Sequence, residues 1–516
     1  MSVAAIPARS PHIGITRIFA PDTLMQFALG VSILGIGVGL ALGNLYLGYA
    51  FVFASMFCVA MLLPGTTPFL LIFAFLFQNT FVAFTATWVK SADVLDQMRA
   101  LNVIMLAAVF GSFLVTGQFS ARVLPRGVRP WVNATWLVFA VVGIYFALGL
   151  ALGNGKDAII YLRGMVVPLM CLQIALVCGA RFRVPLAPAL LVATLLIIAY
   201  GYCELIFETR FLSLFNGDRY LWLKMQDDIV RGVYTRLMEE TGFVLRGIDD
   251  MMRVPLFNLS GSAHDAIQIF RLGGPNFHPI SFGYALALLS AWLFANSIRW
   301  VAVLALPLLI FIGSKGAIVL FLAFFFMVLA MRLLPARVAM AGFLVMLGLY
   351  VAAVVALGLR VGDYHVLGLM AGLRDFLANP LGHGVGSGGV LSKAGSMVNW
   401  IDAQGRGATE IPVESAIAVL FYQLGIGAAV FVGLPVMLAR RFRKAYLAFR
   451  EPLFLFAFVA IATICANAVF QEEAFFAPLA LGLCLMLAGL SLGALLRGEQ
   501  RDERQPLAQG SIGSAE

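Results

Sequence analysis

The chain has 516 residues, of which 61% are hydrophobic and only 12% charged, where soluble domains carry about a quarter charged residues. Its formal net charge is +9; Lys and Arg gather in short loops between apolar runs, as membrane topology demands, so the balance does not point to nucleic acid. This composition excludes a soluble globular enzyme. Lipid cannot satisfy backbone polar groups, so the repeated apolar runs must be helices, and the fold class is an all-α polytopic membrane protein.

Residues 1–23 carry Arg9 and Arg17 and lack a small-residue cleavage site. They read as a cytoplasmic segment before a retained helix, not as a signal peptide. About fourteen runs follow, each close to the length that crosses a hydrocarbon core of roughly 30 Å. Seven fill 24–206, near 24–44, 46–64, 67–87, 100–118, 131–152, 158–179 and 186–206. A polar stretch, 207–276, mixes Arg, Asp and Glu with apolar residues at helical spacing and reads as short amphipathic helices on the membrane surface. Its pairs Asp227-Asp228 and Asp249-Asp250 read as solvated helix faces.

Four spans occupy 277–360, near 277–296, 299–313, 316–334 and 338–359, before a Gly-rich loop, 361–412. Three more fill 413–496, near 413–438, 453–470 and 475–496, and the tail 497–516 has the composition of a disordered segment. The cysteines Cys58, Cys171, Cys178, Cys203, Cys465 and Cys484 lie in or beside apolar runs, without metal-ligand spacing or a disulfide framework. With the N-terminus inside, every strongly basic short loop falls on one side, including Arg440-Arg441-Phe442-Arg443-Lys444 and the C-terminal arginines. Both termini are then cytoplasmic, and in a bacterium the two long polar stretches face the periplasm. Matched broken helices of the kind many transporters carry are not found.

Several charges sit where lipid would resist them. Arg163, in Tyr161-Leu162-Arg163-Gly164, lies inside the sixth run, about 10 Å along the helix from Lys156-Asp157. A mid-membrane arginine costs about 2.5–3.5 kcal/mol on insertion scales, so it either snorkels or faces a wet cavity, where its fork suits a phosphate. Arg271 opens Arg271-Leu272-Gly273-Gly274-Pro275-Asn276-Phe277-His278-Pro279, a stiff turn at a span entrance. His278 is either a proton carrier or a structural histidine beside proline. Lys315, in Ser314-Lys315-Gly316, either joins the site or anchors its helix in headgroups.

Further on, Arg374 lies in a short amphipathic helix stopped by Asn379-Pro380, and Leu381-Gly382-His383-Gly384-Val385-Gly386 follows. The glycines allow close backbone approach to a ligand, although no strand precedes them and this is no nucleotide loop. Glu414-Ser415 opens the twelfth run, with Gly425 eleven residues beyond Glu414, three turns plus about 20° on a continuous helix. Glu414 is then either a substrate-facing carboxylate or a favourable charge at a helix N-terminus.

Taken in order, these groups resemble the O-antigen ligase and Wzy-type polysaccharide polymerase superfamily over roughly 155–435. The resemblance rests on Arg271…Gly273…His278-Pro279…Phe282-Gly283, Ser314-Lys315-Gly316-Ala317, Arg374…Pro380 to Gly386, and Glu414-Ser415 with Gly425. It implies a glycosyltransferase fold of type C in the bacterial cytoplasmic (inner) membrane. It also implies an undecaprenyl-diphosphate-linked oligosaccharide as donor, no cofactor, and as partners membrane lipid with a chain-length regulator and flippase of the same pathway. The ligases carry His where this chain has Glu414, which favours a polymerase. Glu414 would then act as general base or orient the acceptor. Arg163, Arg271 and Arg374 would neutralise the leaving diphosphate, a task other enzymes give to a metal ion. His278, Lys315, His383, Gly384, Gly386 and Ser415 fall on the substrate-binding side. The alternatives are a ligase acting on a lipid or protein acceptor and, outside the enzymes, a lipid-linked-glycan flippase or transporter.

Overall fold

Proline, asparagine and glycine set the ends of the apolar runs. The structure, a computed structural model, describes residues 20–509 apart from positions within 231–246 and residues 256–267 and 396–397. The fold is all-α and 78% helical. Among the described residues, ten helices are long and apolar enough to cross a membrane, and three shorter apolar helices accompany them.

The first, α1 (Pro21–Gly43), folds back on α2 (Leu45–Leu62) about Asn44, whose side chain accepts from the Tyr46 and Leu47 amides and so caps α2. There follow α3 (Thr67–Phe84), the short α4 (Ala92–Met98), α5 (Leu101–Val115), α6 (Arg129–Ala151), α7 (Gly155–Arg181) and α8 (Leu186–Ser213). The expected end of the seventh span near 206 is where α8 bends: Glu208 takes φ 49°, ψ −132° and the helix resumes beyond it.

Among its described residues, the first polar stretch holds an amphipathic helix of the expected kind, α9 (Gly217–Val230), and a single turn, α10 (Ile248–Met252). It also pairs β1 (Arg253–Pro255) antiparallel with β2 (Gln268–Phe270), a ribbon that helical spacing did not announce. The side chains of Asp227 and Asp228 lie outside the described residues. Next come the short α11 (Pro279–Ala295) and α12 (Trp300–Ile312), then α13 (Lys315–Leu333) and α14 (Ala336–Val361). The Gly-rich stretch carries α15 (Tyr364–Ala378) and α16 (Trp400–Arg406).

The twelfth run is not one helix. It divides into α17 (Ala416–Leu424) and α18 (Gly427–Phe449) at Gly425, which has φ 49° and ψ −133°. A Cβ there would stand 2.3 Å from the Pro380 carbonyl oxygen, and that carbonyl accepts the Ile426 amide at 2.8 Å. Only glycine fits such a crossing. The expected shared helical face of Glu414 and Gly425 therefore does not exist, since the break lies between α17 and α18 and Glu414 precedes the cap residue Ser415. The chain ends with the third shorter helix α19 (Pro452–Asn467), the single turn α20 (Glu473–Phe476), a π-helical turn Pro478–Gly482, and α21 (Leu483–Gln509). The tail expected to be disordered from 497 is helical as far as Gln509, as a continuation of α21; residues 510–516 lie outside the described set.

Between apolar helices in lipid, close backbone approach replaces the hydrophobic drive. The axis of the bundle shows it: α7 and α21 lie against each other through Gly179, Gly489 and Gly493. A Cβ on Gly179 would meet the Leu490 carbonyl oxygen at 2.3 Å, and one on Gly493 the Leu176 carbonyl oxygen at 2.5 Å.

Candidate functional site

A network of polar residues gathers at one end of the bundle. There the N-terminal ends of α7, α11, α13 and α17 meet the C-terminal end of α19. Asn467 Nδ2 donates to the Gly316 carbonyl at 2.8 Å and to the Tyr284 hydroxyl at 3.0 Å, and that hydroxyl donates to Gln471 Oε1 at 2.8 Å. The Ile417 amide donates to the Ala468 carbonyl at 3.0 Å. Next in the chain is Glu472, only 4% exposed. Its Oε1 accepts from the Tyr161 hydroxyl at 2.5 Å and its Oε2 from the Val390 amide at 2.9 Å. Burial outweighs these donors and pushes the Glu472 carboxyl up to about 8.

The Gly-rich loop is held as a strap. The His383, Gly384 and Val385 amides donate to the carbonyls of Tyr422, Gln423 and Tyr145, each at 2.9 Å, and the Lys393 amide donates to Asp157 Oδ2 at 2.8 Å. Its glycines do make close approaches, but to the ends of α6 and α7: a Cβ on Gly384 would lie 2.6 Å from the Gly149 nitrogen and one on Gly386 2.4 Å from the Ala158 nitrogen. The sequence expectation of approach to a ligand is corrected to approach to neighbouring backbone. His383 brackets the strap, with Nε2 2.9 Å from Asp375 Oδ2 and its ring 4.4 Å from that of Tyr422.

The loop before α11 is clamped from below. Glu204, fully buried in α8, accepts the Gly273 and Gly274 amides on its two oxygens, each at 2.8 Å. Asn79 donates to the Asn276 carbonyl at 2.7 Å and Thr80 to the Pro275 carbonyl at 2.6 Å. Arg271 Nε donates to the Ile312 carbonyl at 3.3 Å. His278 caps α11 by accepting the Ser281 amide on Nδ1 at 3.2 Å, which leaves the ring proton on Nε2. Burial, then the charges of Lys224, Arg99 and Arg271, drive its pKa down to about 3. The bond that His278 makes here is the one it accepts as the cap of α11.

Glu414 lies in a tight turn, Val413–Glu414–Ser415, closed by the Ser415 amide donating to the Val413 carbonyl at 2.8 Å. Its φ is 63°, a left-handed value rare outside glycine, and a marker of strain. Ser415 is buried and caps α17 through its hydroxyl, which accepts the Ala418 amide at 3.3 Å. Its place is structural. Facing Glu414 is His365 of α15, with Nδ1 3.6 Å from Oε2. Burial and then Asp363 push the Glu414 carboxyl up, and burial and then Glu414 do the same to Glu473.

Electrostatic range links these groups in sequence. Arg163 feels Arg99, Arg99 feeds charge to His278, His278 feels Arg271, Arg271 feels Glu473, and Glu473 feels both Glu414 and His365. Arg271 and Glu414 thus both lie within range of Glu473, whereas Arg163 is exposed on α7 with Arg99 and Asp96 as the charges in its range. Arg374 does not join them: it is exposed on α15, nine residues from His365, which places it on the opposite face about 13 Å further along. Lys315 is exposed at the first position of α13, although its neighbour Gly316 belongs to the polar network. Two surface cavities, of about 330 and 210 Å³, are lined by Arg183 and by Arg497 near the far end of α7, and include none of these residues.

Several members escaped the sequence reading: His365, Tyr161, Tyr284, Asn467 and the run Gln471-Glu472-Glu473. The run had a signal, since two adjacent carboxylates between apolar spans stand out in a chain with 26 acidic residues. Among the described residues, no group of three or more His, Cys, Asp or Glu could hold a metal ion. Comparison of the chain with protein-family models, with curated proteins and with solved structures found no match.

Proposed function

We propose that this protein is a membrane glycosyltransferase that joins undecaprenyl-diphosphate-linked oligosaccharide repeat units of an O-antigen or exopolysaccharide. It would act at the periplasmic face of a bacterial inner membrane. The observation that carries the reading is that Arg271 and Glu414 both lie within electrostatic range of Glu473, beside the polar network of Tyr284, Asn467 and Gln471, with His278 in range of Arg271. A flippase needs charge along a route through the membrane; here it collects at one end. The ten long helices, the three shorter ones and the broken pair α17–α18 support fourteen passages in a type C arrangement.

In this reading the acceptor hydroxyl oxygen forms a bond to the anomeric carbon while the bond from that carbon to the diphosphate oxygen breaks. The lipid diphosphate leaves with the electron pair. Arg163 and Arg271 offset the charge growing on it, the work a metal ion does elsewhere, and His278 donates from Nε2. Proton removal from the hydroxyl falls to the Glu414 end of the site. Arg374, on the other face of α15, has no part in the step.

Purified protein in lipid, supplied with an undecaprenyl-diphosphate oligosaccharide, should lengthen the glycan, and chelation of divalent metal should leave that growth intact. Arg271→Ala and Glu414→Ala should abolish it while still folding. Absence of turnover with any lipid-linked donor, together with measurable translocation, would overturn the reading.

A further inference from the structure

Glu414 is poorly placed to be the base itself. It is half-buried, it sits in a strained turn, and its side chain is turned toward another titratable group. That group, His365, has 37% of its side chain exposed, against 28% for Glu414. Its Nδ1 is nevertheless closed off from solvent and makes no hydrogen bond among the described residues. The exposure of the side chain therefore falls on atoms other than Nδ1. Nδ1 faces Oε2 of Glu414 at 3.6 Å, just beyond hydrogen-bond reach, the kind of separation that closes when substrate binds.

The backbone on both sides fixes this approach. Asp363 caps α15 by accepting the His365 amide at 3.1 Å, which sets the first turn that carries the histidine. Two turns of α15 then press against the Glu414 segment: a Cβ on Gly368 would fall 1.9 Å from the Val413 carbonyl oxygen, and one on Gly372 2.6 Å from the Ala418 Cβ. The Thr409 amide adds a bond to the Leu367 carbonyl at 3.4 Å. Helix and turn are stapled together directly beside the pair. Glu473 lies within electrostatic range of both His365 and Glu414, and Asp363 and Glu472 lie within range of Glu414.

We infer that His365 is the general base for the acceptor hydroxyl and that Glu414 is its positioning residue, holding the ring by Nδ1 with Nε2 turned outward. The inference rests on the glycosyl-transfer reading above and deepens it. The hydroxyl proton moves to Nε2 as the new carbon–oxygen bond forms and the bond to the diphosphate breaks; the imidazolium then returns that proton to water. An oriented carboxylate behind a histidine fixes the tautomer and stabilises the cation, the same division of labour as in hydrolase triads. The sequence had set Glu414 where related ligases carry a histidine; the fold brings a histidine to Glu414 from α15.

The test is chemical rescue. His365→Ala and His365→Gln, each checked for folding by size-exclusion elution, should lose about a hundredfold or more of chain growth. Added imidazole should restore growth to His365→Ala and not to Glu414→Gln. Full activity in His365→Ala, or a loss that imidazole leaves untouched in folded protein, overturns the inference. A second arm needs no turnover: diethyl pyrocarbonate should modify His365, located by mass spectrometry, and Glu414→Gln should change that rate severalfold. A wild-type protein that lengthens no glycan sinks the glycosyl-transfer reading. In that case, an unreactive His365, or one indifferent to Glu414→Gln, separately overturns the pairing.

Discussion

Gly368→Ala tests how tightly the site is tied to helix packing. The new methyl would sit 1.9 Å from the Val413 carbonyl oxygen, and ordinary contact begins at 3.4 Å. The α15 backbone or the Val413–Ser415 turn must therefore yield about 1.5 Å, because the obstacle is main chain and cannot rotate away. His365 lies three residues before Gly368 on the same helix and Glu414 directly follows Val413, so most of that movement enters the 3.6 Å gap between them. Overpacking of this kind costs about 1–3 kcal/mol of stability. A displacement near 1 Å in a reacting constellation costs about a hundredfold in rate. Gly342→Ala, where nothing lies within 4 Å, is the control: it should keep activity and gain about 0.5–1 kcal/mol from helix propensity. The assay is glycan chain growth per folded protein, with stability followed by denaturant unfolding in detergent. A Gly368→Ala protein within twofold of wild type, while Gly342→Ala behaves as expected, would refute the claim that this contact sets the site.

The strained turn makes a separate prediction: Glu414→Ala and Glu414→Gly should both lose activity, but the glycine variant should be the more stable by about 1 kcal/mol, since only it accepts the positive φ freely. Equal stability would mean the turn stores no strain. Glu472, pushed up to about 8 from an ordinary 4.5, keeps its proton in the folded protein over a pH range where the unfolded chain has lost it. The folded state then binds more protons, so stability should fall as pH rises through that window and level off above it. Thermal unfolding at stepped pH should show this slope, and Glu472→Gln should flatten it. Glu204→Gln replaces one of two acceptors with a donor facing an amide and should cost about 1–3 kcal/mol. By loosening the loop that carries Arg271, it should also weaken donor binding, read as a raised KM; an unchanged KM would detach Glu204 from the site.

Hydropathy made the spans legible because each needs only length and apolarity, and the bounds of most runs agree with the helices to within a few residues. What it could not resolve was conformation inside a run. The break at Gly425 leaves no trace in composition, since Leu424, Ile426 and the glycines around them are equally apolar on either side; it exists because the Pro380–Gly382 backbone crosses there. The same limit explains the site. Arg163, Arg271 and Glu414 were visible because charge in or beside an apolar run is costly. His365 was not, because it lies in a polar stretch where a histidine is unremarked, and only the docking of α15 on the Val413 carbonyl gives it meaning. Arg374 was conspicuous for the same reason, and the structure shows it exposed on α15, half a rotation from His365.

Strain marks both flanks of the proposed centre. Phe277, a bulky residue with φ 51°, immediately precedes His278, and Glu414, with φ 63°, is the partner of His365. Of the other non-glycine residues with positive φ, Arg450 and Ser297 follow helix ends, where left-handed values are ordinary, while Glu208 marks the bend inside α8. Phe277 is held by Tyr220, whose ring lies 4.8 Å away, and by the Glu204 clamp beneath its loop; Glu414 is held by the close docking of α15. Each strained residue costs of order 1–3 kcal/mol and persists only where its surroundings leave no alternative. A fold that merely closed two loops would relax these positions at no loss. In the proposed reading the two positions would aim one histidine as a donor at the leaving-group side and another as an acceptor at the hydroxyl side. That pairing of roles is the reason to keep both.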